Sequence, residues 1–247
     1  MVEENQYIEK QIQNWNEMAK FQERRDSTHP DEYLANLELN FLISKIKGKV
    51  LNVGCGSGGE TNICTQKTGI PATGIDVSDK MIEIAQKRFP DLRFEVANIL
   101  NLPFRDHFFD SITTRRTLIN LLTHEDQVKA IEEMKRVLKQ EGNLVIVEAT
   151  CEGYDRLNHL RHELGLPRID VVKYNLPLKE DDIINALPGC KISHFNTYYY
   201  LTRFYYPLVE KEIRYNTQFH KAAYLLQNKM DIPFQCSPHI LIDWQKQ

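Results

Sequence analysis

Between Lys49 and Ala149 short apolar runs alternate with longer stretches in which apolar side chains return every third or fourth residue. The runs "KVLNVG", "PATGIDV", "LRFEVAN", "FDSITTR" and "NLVIVEA" are short and rich enough in β-branched residues to read as strands buried on both sides in a parallel sheet. Between the second and third, "SDKMIEIAQKRFP" reads as a helix with Ser78 as N-cap, Met81, Ile82 and Ala85 on one face and Pro90 beyond its end. Between the fourth and fifth, "THEDQVKAIEEMKRVLKQEG" reads as a helix from Thr123 to near Gly142 that buries Val128, Ile131 and Leu138. This alternation predicts a Rossmann-like, doubly wound α/β sheet with right-handed crossovers.

The flanks follow other patterns. From Tyr7 to Phe21 a polar stretch with scattered aromatics predicts one or two short helices laid on the core. The next helix has Ser27 or Thr28 near its start, Pro30 in its first turn, Leu34, Leu37, Phe41 and Leu42 on one face, and Gly48 to close it. After Ala149, "CEGYDRLNHLRHELGL" is an amphipathic helix with Leu157, Leu160 and Leu164 on a face, followed by turn chemistry. The remainder predicts two aromatic-rich strands, "CKISHFNTYYYLTRFYYPL" and "SPHILIDWQKQ", separated by a helix near Thr217 to Asn228. The chain therefore divides as one domain: residues 1–47 a helical lid, 48–150 the core, 151–190 a cap insertion, and 191–247 strands completing a seven-stranded sheet, mostly parallel with an antiparallel C-terminal strand.

Composition narrows the function classes. At 247 residues, 42% hydrophobic and 26% charged, the chain is an ordinary globular protein. A net charge of -3 gives no general attraction to a polyanion, which argues against nucleic acid as the partner. Five widely spaced cysteines without a C-x-x-C pair argue for a reduced compartment and against a zinc motif. The polar, acidic start "MVEENQYIEKQIQNW" lacks the pattern of a secretory signal and no run reaches membrane-spanning length, so a cytoplasmic location is expected. Nothing in the sequence bears on oligomeric state.

Candidate chemistry concentrates in "KVLNVGCGSGGET". Gly54, Gly56 and Gly59 form G-x-G-x-x-G directly after a strand, and Asp76 ends the next strand 22 residues after Gly54, where a carboxylate can accept from both hydroxyls of a ribose. A dinucleotide and S-adenosylmethionine both suit such a loop. Glu60, immediately after the glycines, puts an anion where a pyrophosphate would lie and disfavours the dinucleotide.

In order and spacing, "VLNVGCGSGGET", "GIDVSDKMIEIAQKR", "ANILNLPFRDHFFDSITTRRTLINL" and "EEMKRVLKQEGNLVIVEA" resemble successive motifs of class I S-adenosylmethionine-dependent methyltransferases, over about Lys49 to Ala149. The resemblance implies that Gly54, Cys55 and Gly56 contact the methionine part of the cofactor, that Asp76 holds the ribose, that Val77 and Met81 flank the adenine with Ile99, and that Asn98 faces the adenine amino group. It implies further that Thr114 and Arg115 lie near the sulfonium, with S-adenosylhomocysteine as the product. Asn52 departs from the usual Asp of the family, and on that ground a loss of about 1 kcal/mol of cofactor binding is expected.

The acceptor is less legible. A fainter likeness to bacterial small-molecule methyltransferases, including sugar-modifying ones, lies in "RTLINL" and the insertion, and implies a small polar metabolite as partner. Candidate acceptor contacts are Glu148, Asn158, Arg161, His162 and Tyr174, with Asn158, Arg161 and His162 expected to point away from the leucine face. Glu148, His124, His159 and His162 are candidate bases, none singled out by spacing, so no catalytic residue is assigned. His159 and His162 lie three apart but lack a third ligand, and no metal is expected. Two other classes stay open: a non-catalytic binding module, suggested by Asn52 and by the lack of an assignable base, and a nicotinamide-dependent oxidoreductase.

Overall fold

The computed structural model describes residues 13, 15–17, 30–210, 214–230 and 232–247. Seven strands form one sheet in the order β3-β2-β1-β4-β5-β7-β6: β1 Val50–Val53, β2 Thr73–Asp76, β3 Arg93–Val96, β4 Phe109–Arg115, β5 Leu138–Ala149, β6 Lys191–His194 and β7 His239–Gln245. The first five run parallel, and β7 pairs antiparallel with both β5 and β6. The central strands are covered on both sides: β1 is buried at all four positions, Asn52 included.

Helices fill those faces. α1 Glu32–Lys45 and α5 Cys151–Glu163 pack with the C-terminal aromatics on Val145, Val147 and Leu241, whereas α4 His124–Val137 packs on Ile112, Leu144 and Ile146. α2 Gly59–Thr68 follows the glycine loop, and α3 Asp79–Arg88 follows β2. Ser78 and Thr123 cap α3 and α4 as their sequence predicts, accepting from Met81 N and Asp126 N. A short helix, α6 Glu180–Ala186, lies against α4.

Ser27, Thr28, Tyr7 and Phe21 lie outside the described residues. The cap of α1 is Asp31, whose carboxylate accepts from Leu34 N at 3.1 Å. From the N-terminal stretch, Trp15, Asn16 and Glu17 are helical. Asn16 accepts from Ser78 Oγ at 2.5 Å and donates to Asp79 at 2.7 Å, which docks this turn on the start of α3.

Two elements differ from expectation. The helix expected to reach Gly142 stops at Val137, and β5 begins at Leu138 because that residue pairs with Phe109 of β4. Sheet pairing overrides the helix-compatible polar run "KQEG". The expected strand across "CKISHFNTYYYLTRFYYPL" is confined to β6, and Asn196–Val209 is helical. It comprises α7 Asn196–Tyr199, a π-helical stretch Tyr200–Tyr205, and α8 Tyr206–Val209. Tyr198, Thr202 and Tyr206 are buried at a spacing of four, a helical stripe that aromatic richness disguised as strand propensity. α9 Gln218–Leu226 follows, close to where the sequence put it.

Candidate functional site

The strand order reverses between β1 and β4, and in open α/β sheets ligands bind beyond the carboxyl ends of the strands at such a switch. The glycine loop leaves β1 at that point. Gly54 N and Cys55 N both donate to Ile75 O, at 2.8 and 2.9 Å, which ties the loop to β2. Gly54 has φ +72, and a Cβ there would meet Thr117 Cγ2 at 2.6 Å, so loop and β4 terminus close on one another only with glycine.

Asp76 ends β2 and is half-buried. Its Oδ2 accepts from Gly56 N and its Oδ1 from Ser78 N, both at 2.9 Å. Burial raises its pKa, and these N–H groups oppose that shift. The carboxylate thus both orders the glycine loop and keeps lone pairs for a ligand. Val77 beside it is half-buried, while Met81 and Ile99 are buried. Asn98 accepts from Leu100 N at 2.9 Å, leaving its amide N–H groups to offer.

At the end of β4, Thr114 is fully buried and its hydroxyl has no partner. Arg115 is held by Glu60 at 3.0 Å and Glu38 at 3.4 Å, and its charge is reinforced by both. Glu60 therefore does not stand as a lone anion in the loop. Its Oε1 also accepts from Asn52 Nδ2 at 2.6 Å, and Asn52 in turn accepts from Thr61 Oγ1 at 2.9 Å. The Asn that departs from the usual Asp has a local reason: it donates to Glu60, which a carboxylate could not do.

Beyond β4 lies a buried polar group that sequence patterns did not reveal. Arg116, in the left-handed region at φ +55, donates to Glu38 at 2.6 Å. Burial pulls the Glu38 pKa upward, but Arg116 and its neighbours prevail and hold it at about 2. His239 stands 3.6 Å from Glu38 and shares a 2.5 Å hydrogen bond with the Tyr199 hydroxyl. Burial lowers the His239 pKa to about 4, so it is neutral at pH 7 and can accept that proton. Arg203 donates to Asp31 at 2.7 Å and lies over the rings of Tyr199 and Tyr215, at 5.5 and 5.2 Å.

The candidate acceptor residues are dispersed. Glu148 is fully buried at the end of β5; its Oε1 accepts from Thr117 N and Leu118 N at 2.7 Å each, and burial pushes its pKa up to about 8. Asn158 and Arg161 do not point away from the leucine face but are buried with Leu157. Asn158 exchanges two hydrogen bonds with the Ile169 backbone, and Arg161 donates to the carbonyls of Pro167 and Arg203. His162 and Tyr174 are exposed, as is His159. Glu38, Tyr199, Arg203 and His239 had no signal in the sequence, because each becomes chemical only through partners far away along the chain.

Residues 51–146 match the family model described as "Methyltransferase domain". A demethylmenaquinone methyltransferase of Thermotoga maritima is 41% identical over 101 residues, which are 40% of this chain and 43% of that protein. A ubiquinone/menaquinone biosynthesis C-methyltransferase of Geotalea daltonii is 31% identical over 144 residues, 53% of this chain and 60% of that protein. The chain thus spans about half the length of these relatives. Among solved structures, geranyl diphosphate C-methyltransferase from Streptomyces coelicolor A3(2) superposes with a TM-score of 0.58 at 15% identity, covering 87% of this chain and 80% of that one, a likeness of fold.

Proposed function

This chain belongs to the class I S-adenosylmethionine-dependent methyltransferase family, and from that premise we propose that it binds S-adenosylmethionine at the β1–β2–β4 edge and transfers its methyl group to a small molecule. The observation that carries the proposal is the Asp76 carboxylate, bonded to Gly56 N and Ser78 N at the mouth of the glycine loop. The residues present fit the cofactor. Asp76 would take the ribose hydroxyls, Gly54, Cys55 and Gly56 the methionine portion, and Val77, Met81, Asn98 and Ile99 the adenine. The unpartnered Thr114 hydroxyl lies at the strand end where the sulfonium is expected, beside Arg115.

The bound cofactor supplies an activated methyl on a good leaving group, so the protein contributes position and exclusion of water. Glu148 fixes the start of the segment after β4 through two backbone N–H groups, and Thr117 in that segment abuts Gly54. Neutral His239, hydrogen-bonded to Tyr199, is the group best placed chemically to hold a proton near this edge. The name of one curated relative, a ubiquinone/menaquinone biosynthesis C-methyltransferase, supports a carbon acceptor over the sugar to which the insertion's likeness pointed. Asn52, one of the two grounds for a non-catalytic module, is accounted for by its bond to Glu60.

Calorimetry with S-adenosylmethionine, S-adenosylhomocysteine and NAD tests the proposal. Both adenosyl compounds should bind saturably and NAD should not. Asp76→Ala should weaken S-adenosylmethionine binding by about 100-fold, the value of two hydrogen bonds to a charged acceptor. Unchanged affinity in that variant would remove the ribose assignment.

A further inference from the structure

Two guanidinium groups border one cluster of contacting side chains, and each keeps a buried donor without a partner. Arg116 spends Nη2 on Glu38, and its Nε is buried with no hydrogen-bond partner. Arg203, 8% exposed, spends Nη2 on Asp31, and its Nη1 is likewise buried without a partner. Arg116 follows the end of β4, and Arg203 lies in the π-helical stretch. The side chains between them are contiguous: Arg203 lies over the Tyr199 ring, Tyr199 bonds His239, His239 borders Glu38, and Glu38 holds Arg116. Both guanidiniums act electrostatically on the same three groups, Tyr154, Tyr199 and His239. A buried donor without an acceptor is costly, and a charged one more so, so two in one region call for a ligand.

The charges say what kind. Arg115, Arg116, Arg161 and Arg203 are held in this region, and the carboxylates paired with them are Glu38, Glu60 and Asp31. Arg161, 2% exposed, has carbonyl oxygens in place of a carboxylate partner among the described contacts. Burial keeps Glu148 protonated at neutral pH, so it does not supply the missing charge. Among the described residues these ion pairs leave one positive charge, that of Arg161, without a carboxylate. A diphosphate would overshoot it, and a phenolate brings a single oxygen to two separate donors. A carboxylate brings one charge and two oxygens.

We propose that the methyl acceptor is a small organic acid, anchored by its carboxylate between Arg116 and Arg203. The carboxylate is the handle and not the methylated atom, so the product keeps its charge. This inference rests on the methyltransferase reading above and specifies the substrate class of the same site.

The test uses the full chain, methyl-labelled S-adenosylmethionine and a small-metabolite extract, with products passed over an anion exchanger at pH 5. Label should be retained on the exchanger, and phosphatase treatment should leave that retention unchanged. Label in the flow-through, as from a neutral, cationic or phenolic product, overturns the inference, and so does retention that phosphatase abolishes. Arg203→Lys and Arg116→Lys keep a charge opposite Asp31 and Glu38 but lose the free N–H. Each should lower labelling at dilute extract by about 10-fold or more, recover as the extract is concentrated, and bind S-adenosylmethionine as the parent does. Parent-like labelling in both variants at every dilution also overturns it. If no fraction carries label although S-adenosylmethionine binds, the methyl-transfer reading fails and this inference with it, whereas labelled neutral product refutes the acid alone.

Discussion

At the scale of single residues, Asn52 shows how a departure from a familiar motif is resolved by a neighbour. Its amide donates to Glu60 at 2.6 Å inside a buried strand. In Asn52→Asp two carboxylates would meet there, and one would have to take up a proton. The variant should lose about 1–3 kcal/mol of stability at pH 7 in urea unfolding, with the loss shrinking toward pH 5. A variant as stable as the parent at both pH values would contradict this account. The glycines, Asp76 and the caps Ser78 and Thr123 were legible in the sequence because their roles are local: a turn, a strand end, a first helical turn. Glu38 and His239 were not, since their character comes from Arg116 and Tyr199, brought close only by the fold.

At the scale of elements, the sheet and the helices α3 and α4 followed from apolar periodicity, while the tyrosine-rich segment did not. Its side chains satisfy both a strand's propensity and a helix's stripe, and what decides is the partner. Asp31 caps α1, accepts from the Tyr198 hydroxyl at 2.6 Å and pairs with Arg203, so one carboxylate joins α1 to α7 and the π-helical stretch. Asp31→Asn keeps an acceptor for the cap but leaves Arg203 buried without its counter-charge. A loss of about 3 kcal/mol in chemical unfolding is expected, well beyond the ~1 kcal/mol typical of a weakened cap. A cap-sized effect would mean that the ion pair contributes nothing.

At the scale of the whole molecule, buried titratable groups set opposing pH dependences. Glu148 has a folded pKa of about 8 against an ordinary 4.5, so the folded state binds the extra proton and stability declines as pH rises through that interval. His239, lowered from 6.5 to about 4, works the other way: stability declines as pH falls between those values. The two effects offset one another between pH 4.5 and 6.5, and of the two only Glu148 acts from pH 6.5 to 8. Glu148→Gln should flatten the parent's decline in thermal midpoint over that interval, and a parallel decline in the variant would assign it elsewhere. The docking of Asn16 on Ser78 and Asp79 has a kinetic meaning. Ser78 is two residues from Asp76, so this contact borders the place proposed for the ribose. Two hydrogen bonds of about 1 kcal/mol each would lengthen the residence time of a nucleoside held there by roughly 10-fold or more. Turnover would then be paced by the escape of spent cofactor, and Asn16→Ala should release S-adenosylhomocysteine faster in stopped-flow displacement while leaving its association rate nearly unchanged.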